Sequence, residues 1–114
     1  MTRLPNAHMA FIEPAKLTAY LLDPNHEDGG PKAKFLAAVG FDLAVPRAVE
    51  IALLTHAAAH EATALVTPFG MKYHVNGALI SPTGRAVHVR TVWQIDTGAV
   101  APRFVTLRPR VSQS

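Results

Sequence analysis

The chain has 114 residues with a formal net charge of +3; 49% of the residues are hydrophobic and none is cysteine. This length suits one domain with its own core, and the lack of thiols excludes disulfide bonds and cysteine-based zinc sites. We expect a single domain over 1–114, with a helical half (1–61), an antiparallel sheet (62–110) and a frayed tail (111–114). No segment resembles a signal peptide or approaches the roughly 18 apolar residues that span a bilayer. We therefore expect a cytoplasmic protein without membrane contact.

Charge is divided unevenly between the two halves. Residues 1–61 carry five Lys or Arg against seven Asp or Glu, whereas residues 62–114 carry six against one. A basic surface on the sheet half favours an anionic partner such as RNA, DNA or an acidic protein. Ordinary solubilising charge produces the same imbalance, so both interpretations stay open.

A first helix is predicted over 14–22, behind an extended arm at 4–7. Proline suits the first helical turn, and Asp23 followed by Pro24 stops the helix. A polar loop with two glycines, 25–30, leads to the next helix.

The second helix is predicted over 31–39, with Gly40 as its C-cap and Phe41 folding back onto it. Lys32 falls on or beside the apolar stripe of this helix. One explanation is structural: the aliphatic stem of the lysine covers apolar surface while its ammonium group stays in water. The functional alternative is an anion site, formed by Lys32 with the free N–H groups of the helix start and with His26 just upstream.

The third helix is predicted over 46–60. Four of its residues, at spacings of four, three and four, fall in a row along one face of the helix. These residues are Val49, Leu53, His56 and His60. Two histidines at i and i+4 can bind a metal, but no third ligand is marked. We expect each histidine to be either a cation near the C-terminus of the helix or a hydrogen-bonded residue at the boundary of the core.

Four strands separated by short turns follow the helices. They are predicted over 62–67, 71–80, 85–95 and 102–108. Asn76-Gly77 inside the second strand predicts a bulge or a tight turn. Short turns favour antiparallel neighbours, so the predicted fold class is α+β: three N-terminal helices packed on a four-stranded antiparallel sheet.

Strict alternation in strand 85–95 predicts one apolar and one polar face. The core side is predicted to carry Val87, Val89, Thr91, Trp93 and Ile95, and the other side His88, Arg90, Val92 and Gln94. In the last strand, alternation separates Val105 and Leu107 from Phe104, Thr106 and Arg108, without saying which set is inward.

Pairing of these strands gathers titratable and hydroxyl side chains on one face of the sheet. They are Lys72, His74, His88, Arg90, Thr106 and Arg108. A metal-independent ribonuclease needs a base for the 2′-OH proton, an acid for the leaving oxygen and cations around the phosphate. Histidine suits the proton transfers and arginine the phosphate. A solvated polar sheet face produces the same pattern.

Five segments of the chain together resemble a small bacterial domain family. They are 21–26 (Leu-Leu-Asp-Pro-Asn-His), 30–35 (Gly-Pro-Lys-Ala-Lys-Phe), 40–41 (Gly-Phe), 89–96 and 102–109. The resemblance covers nearly the whole chain, and family members occur alone or as C-terminal domains of phage-head and polymorphic-toxin proteins. The predicted order, with helices first and four strands after them, is also similar in layout to the compact RNase toxins that include barnase, RelE and colicin-type nucleases. The family pattern singles out His26, Lys32, Arg90, Thr91, Trp93 and Thr106. Alternation places Thr91 and Trp93 in the core, so we expect them to be structural.

We therefore predict a toxin-like, metal-independent endoribonuclease of a toxin–antitoxin or polymorphic toxin system, which needs no cofactor. Lys32 and Arg90 would grip the scissile phosphate, His26 or His88 would transfer protons, and Thr106 would donate a hydrogen bond. The further RNA-binding residues are predicted to be Lys72, His74, Arg103 and Arg108. The expected partners are RNA and a small cognate antitoxin protein, with the oligomeric state undetermined. The alternative is a non-catalytic binding module whose basic sheet face docks an acidic protein or a nucleic acid.

Overall fold

The computed structural model describes residues 2–110, in which the helices come first and one sheet follows. The helical elements are a 3-10 turn at Ala7–Met9, α1 (Pro14–Lys16) continued by a π-helix (Leu17–Leu21), α2 (Gly30–Ala38) and α3 (Pro46–Ala59). The strands are β1 (Ala62–Thr67), β2 (Gly70–Ile80), β3 (Ala86–Asp96) and β4 (Arg103–Pro109). They form an antiparallel sheet in the order β1-β2-β3-β4. The predicted α+β class and order are confirmed, and the predicted tail 111–114 lies outside the described residues.

The first helical segment is irregular where a single helix was predicted over 14–22. Only three residues are α-helical before the backbone widens into a π-helix, in which the Leu22 N–H donates to the Leu17 carbonyl at 2.9 Å. The end of α2 follows the prediction: Gly40 has φ 112° and the Phe41 N–H donates to the Leu36 carbonyl at 3.0 Å. Phe41 is buried as a result.

One face of the sheet forms the core with the helices. Trp93 and Phe104 are its largest fully buried side chains. Their rings pack edge to face, with 5.4 Å between the ring centroids. The Trp93 indole N–H donates to Thr91 Oγ1 at 2.9 Å, so the polar side-chain atoms of Trp93 and Thr91 satisfy each other. Thr91 and Trp93 therefore both lie in the core, as alternation predicts.

A β-bulge in β4 breaks the alternation predicted for that strand. Thr106 lies opposite Val92 but Phe104 lies opposite Trp93, which leaves Val105 as the extra residue. Phe104 and Leu107 are both buried in the core as a consequence. The prediction that they lie on opposite faces is wrong, because a bulge shifts the side-chain period by one residue.

The bulge or turn predicted at Asn76-Gly77 is also wrong, because β2 pairs with β3 without interruption from Gly70 to Ile80. Gly77 has a packing role instead. A Cβ atom at this position would lie 2.4 Å from Cγ of His60, so only glycine lets that imidazole lie against the strand.

His56 of α3 and His60, the C-cap residue of that helix, lie against the part of β2 that β1 leaves unpaired. His56 Nδ1 and His60 Nε2 each lie 3.1 Å from the Ala78 carbonyl oxygen, and His56 Nε2 lies 3.2 Å from that of Val75. Because the pairing of β1 with β2 begins at Ala62 opposite Val75, the helix covers the part of β2 that follows. Burial lowers the pKa of His56, so its neutral form is favoured.

Candidate functional site

The outer face of the sheet arranges polar residues of β2, β3 and β4 in three cross-strand rows. The rows are Lys72–Gln94–Arg103, His74–Val92–Thr106 and Asn76–Arg90–Arg108. Val92 is thus the centre of the arrangement, with His74 and Thr106 on either side and Arg90 and Gln94 before and after it along the strand.

A cavity of about 400 Å³ lies over this centre, and we call it the sheet cavity. Its lining consists of Lys72, His74, Arg90, Val92, Val105, Thr106 and Arg108. Val92 is buried beneath the longer side chains and forms the floor. The structure therefore brings together five of the nine residues that the sequence nominated, and three of them are basic.

The Arg90 side chain is held in one orientation. Its Nε–H donates to Asn76 Oδ1 at 2.9 Å, directly across the β2–β3 pair. This bond occupies Nε and orients the plane that carries the two terminal nitrogens, which are the atoms that bind an oxyanion bidentately. Asn76 was not nominated from the sequence, because its role depends on its position opposite Arg90.

His74 is the histidine of the sheet cavity. Burial lowers its pKa from the ordinary value of 6.5, and the positive charges of Arg90, Lys72 and Arg108 lower it further. The imidazole is therefore neutral at pH 7 while it is surrounded by cations. A neutral imidazole can accept a proton, which is the chemistry of a general base.

Tyr20 joins the helical layer to the sheet cavity, and sequence reasoning missed it. Its hydroxyl lies 3.0 Å from Thr106 Oγ1, and either oxygen can be the donor. Two lysines lie near its ring, with Lys16 Nζ at 4.6 Å and Lys32 Nζ at 5.8 Å from the ring centroid. In the sequence Tyr20 is part of the apolar run of the first helix, and no local signal links it to Thr106.

His26 and Lys32 lie beside Tyr20 and do not line the sheet cavity. The rings of His26 and Tyr20 pack edge to face, with 5.1 Å between their centroids. Its Nδ1 accepts the backbone N–H groups of Asp28 and Gly29, each at 3.0 Å. Because that lone pair is occupied, the neutral ring carries its proton on Nε2 and presents a donor there.

A second cavity of about 470 Å³, which we call the helix-side cavity, adjoins Tyr20. Its lining consists of Glu13, Ala15, Lys16, Ala19, Tyr20, His26 and Arg103. Arg103 was predicted to bind RNA, and its guanidinium forms a bidentate pair with Asp96 at 2.8 and 3.1 Å. Hydrogen bonding from Arg103 lowers the pKa of the Asp96 carboxyl, which stays ionised.

His88 is the nominated residue that the structure places apart from the others. It is exposed on β3 opposite Ala78 and lines neither cavity. Across residues 2–110, no three His, Asp or Glu side chains come close enough together to hold a metal ion. None of the helices in that range has the length and apolar character needed to cross a membrane.

Comparison with known proteins identifies a family and a fold. Residues 3–111 match the family DUF6883, described as a domain of unknown function. A chain of a contact-dependent growth inhibition toxin–immunity protein complex from Klebsiella pneumoniae 342 superposes with a TM-score of 0.64 at 13% identity, over 93% of this chain and 97% of that chain. No curated protein matches at a significant level. At 13% identity the structural likeness shows a shared fold.

Proposed function

Because the chain belongs to the DUF6883 family of domains of unknown function, we propose a function from its own chemistry: it is a toxin-like, metal-independent endoribonuclease. The observation that carries this proposal is the sheet cavity, where neutral His74 lies among Lys72, Arg90 and Arg108. A purely solvating surface has no need to place a half-exposed imidazole among cations or to orient Arg90 through Asn76.

In the proposed reaction, His74 takes the proton of the ribose 2′-OH while the 2′ oxygen attacks the phosphorus atom. The bond from phosphorus to the 5′ oxygen breaks, and this oxygen takes a proton from the Lys72 ammonium group. The products are a 2′,3′-cyclic phosphate and a 5′-hydroxyl end, so no water or metal ion is consumed. Arg90 and Arg108 bind the phosphate oxygens, whose negative charge grows in the transition state.

These roles revise the assignment made from the sequence. His74 takes the proton-transfer role predicted for His26 or His88, because it lines the sheet cavity and they do not. Lys32 lies next to the Tyr20 ring and supports that residue, while Arg90 keeps its predicted contact with the phosphate. Thr106 keeps its role as a hydrogen-bond donor, now with Tyr20 as its neighbour.

The proposed protein partner is a small cognate antitoxin or immunity protein with an acidic surface. The sheet half carries six Lys or Arg and a single acidic residue, so an acidic protein is the complementary inhibitor. The fold neighbour comes from a toxin–immunity protein complex. A protein that neutralises a basic nuclease would itself present acidic surface, and the basic sheet face here favours the toxin role. We expect it to act in the cytoplasm, where RNA is available.

The test is tightly induced expression in a bacterial host, followed by gels of total RNA. Wild-type protein should arrest growth and produce discrete fragments, whereas H74Q and R90A proteins should do neither while they retain the wild-type melting temperature. R85A is the matched control, because Arg85 is an exposed arginine next to β3 that does not line the sheet cavity. Purified protein should cleave RNA equally well in EDTA.

Normal growth with intact RNA from folded wild-type protein would contradict the nuclease. That outcome would favour the second candidate, a binding module in which the same cations dock an acidic protein or nucleic acid. The observation in its favour is the density of positive charge on the sheet face, which is sufficient for binding without any proton transfer.

A further inference from the structure

We infer that the helix-side cavity is a nucleobase subsite, which receives the base next to the scissile phosphate. This inference rests on the proposed function and names a feature of its substrate: a base with an exocyclic amino group at that position. The cavity has about 470 Å³, which is ample for one base, and its lining is polar on several sides.

The position of the helix-side cavity makes it a neighbour of the sheet cavity. Tyr20 lines the first, Thr106 lines the second, and their hydroxyl oxygens are 3.0 Å apart. Arg103 of the helix-side cavity is also two strand positions before Val105 of the sheet cavity. A ligand that binds phosphate in the sheet cavity can therefore extend past the Tyr20–Thr106 pair into the second cavity.

Three side chains that line the helix-side cavity, those of His26, Arg103 and Tyr20, are held in place by bonds within the protein. Two backbone N–H groups orient His26, and the bidentate Asp96 contact orients Arg103. Tyr20 is held by its bond with Thr106. Since these side chains are already ordered, a planar ligand loses little affinity to side-chain ordering when it binds.

The charges of the helix-side cavity favour a neutral base over a second phosphate. Lys16 and Arg103 are positive, but Asp96 pairs with Arg103 and Glu13 brings a further carboxylate close enough to raise the pKa of Arg103. A phosphate would meet repulsion from Glu13. A base offers both donors and acceptors, which match the carboxylate of Glu13 and the Nε2–H of His26.

Glu13 makes the subsite selective because an ionised carboxylate only accepts hydrogen bonds. Cytosine presents an amino group where uracil presents a carbonyl oxygen, so cytosine can donate to Glu13 and uracil would leave two acceptors facing each other. We expect cytosine to bind about tenfold more tightly than uracil, the effect of one hydrogen bond to a charged group.

The test measures binding of short 2′-O-methyl oligonucleotides, which cannot be cleaved because the 2′ oxygen is blocked. Pairs of oligonucleotides differ only by cytosine or uracil on one side of the central phosphate. Wild-type protein should prefer cytosine on one side, and E13Q should reduce the preference by about tenfold, since an amide can donate to uracil as well as accept from cytosine. E27Q is the control, because Glu27 is an exposed glutamate of the neighbouring loop outside the cavity.

The outcomes separate this inference from the nuclease proposal. An E13Q protein that folds and keeps the wild-type preference would overturn the subsite. Wild-type protein that binds both oligonucleotides equally would also overturn it, whether or not the protein cleaves RNA. A preference that depends on Glu13 in a protein that cleaves no unmodified RNA would support the subsite and contradict the nuclease. Absence of binding to every oligonucleotide would overturn both.

Discussion

The Tyr20 hydroxyl lies 3.0 Å from Thr106 Oγ1, although 86 positions separate the two residues in the sequence. This contact joins the π-helical segment to β4, and it links a residue that lines the helix-side cavity to one that lines the sheet cavity. The helical half and the sheet half therefore contribute to one site.

Tyr20 is expected to position the Thr106 hydroxyl for substrate. We predict that Y20F lowers kcat/KM for RNA about tenfold, the effect of losing one hydrogen bond, without a large change in melting temperature. T106V should have a similar effect, and the double variant should be no worse than T106V alone. Additive losses in the double variant would show that the two hydroxyls act separately. Y73F is the control, because Tyr73 lies in the core opposite Trp93.

Arg90 should depend on Asn76 for its orientation. We expect R90A to lower kcat by about 10²–10³-fold, as loss of a transition-state charge contact does. N76A should lower it by about tenfold, because the guanidinium remains but is no longer held. Steady-state kinetics on a fluorogenic RNA substrate measures both. An N76A protein with wild-type kinetics would exclude a positioning role for Asn76.

The pH dependence of cleavage should report the ionisation of His74. Burial and three neighbouring cations place its pKa below 6.5, so the acidic limb of kcat/KM should lie below that pH. Removing the positive charge in R108Q stabilises the protonated imidazole, raises its pKa and should shift this limb to higher pH. R85Q should leave the limb in place, and an unshifted limb in R108Q would argue against His74 as the base.

Buried His56 should make the protein less stable in mild acid. Burial lowers its pKa in the folded state from 6.5, so the unfolded chain takes up the proton first as the pH falls. The contribution of His56 is complete above about pH 6.5 and is lost as the pH falls towards the folded-state pKa. Urea unfolding at about pH 8 and about pH 5 should show a smaller difference for H56Q than for wild type. H8Q, at an exposed position, should retain the wild-type difference.

Much of the fold follows from local patterns in the sequence. The strands begin and end within one residue of their predicted bounds, since alternation and turn residues act over a few positions. The core positions of Thr91 and Trp93 were predicted by the same rule. The bulge at Val105 was not predicted. It depends on pairing with β3, and no residue type in β4 marks its position.

The candidate site divides in the same way. The sequence by itself placed Lys72 with His74, and Thr106 with Arg108, on a common face of their own strands, because side chains two positions apart point the same way. The register of the strands then put these pairs on the same face as Arg90. Only the tertiary structure decided that His26 and Lys32 lie at Tyr20 and that Tyr20 meets Thr106. Those contacts arise where a helical layer packs against a sheet edge, and packing between distant segments leaves no periodic signal in the residues that make it.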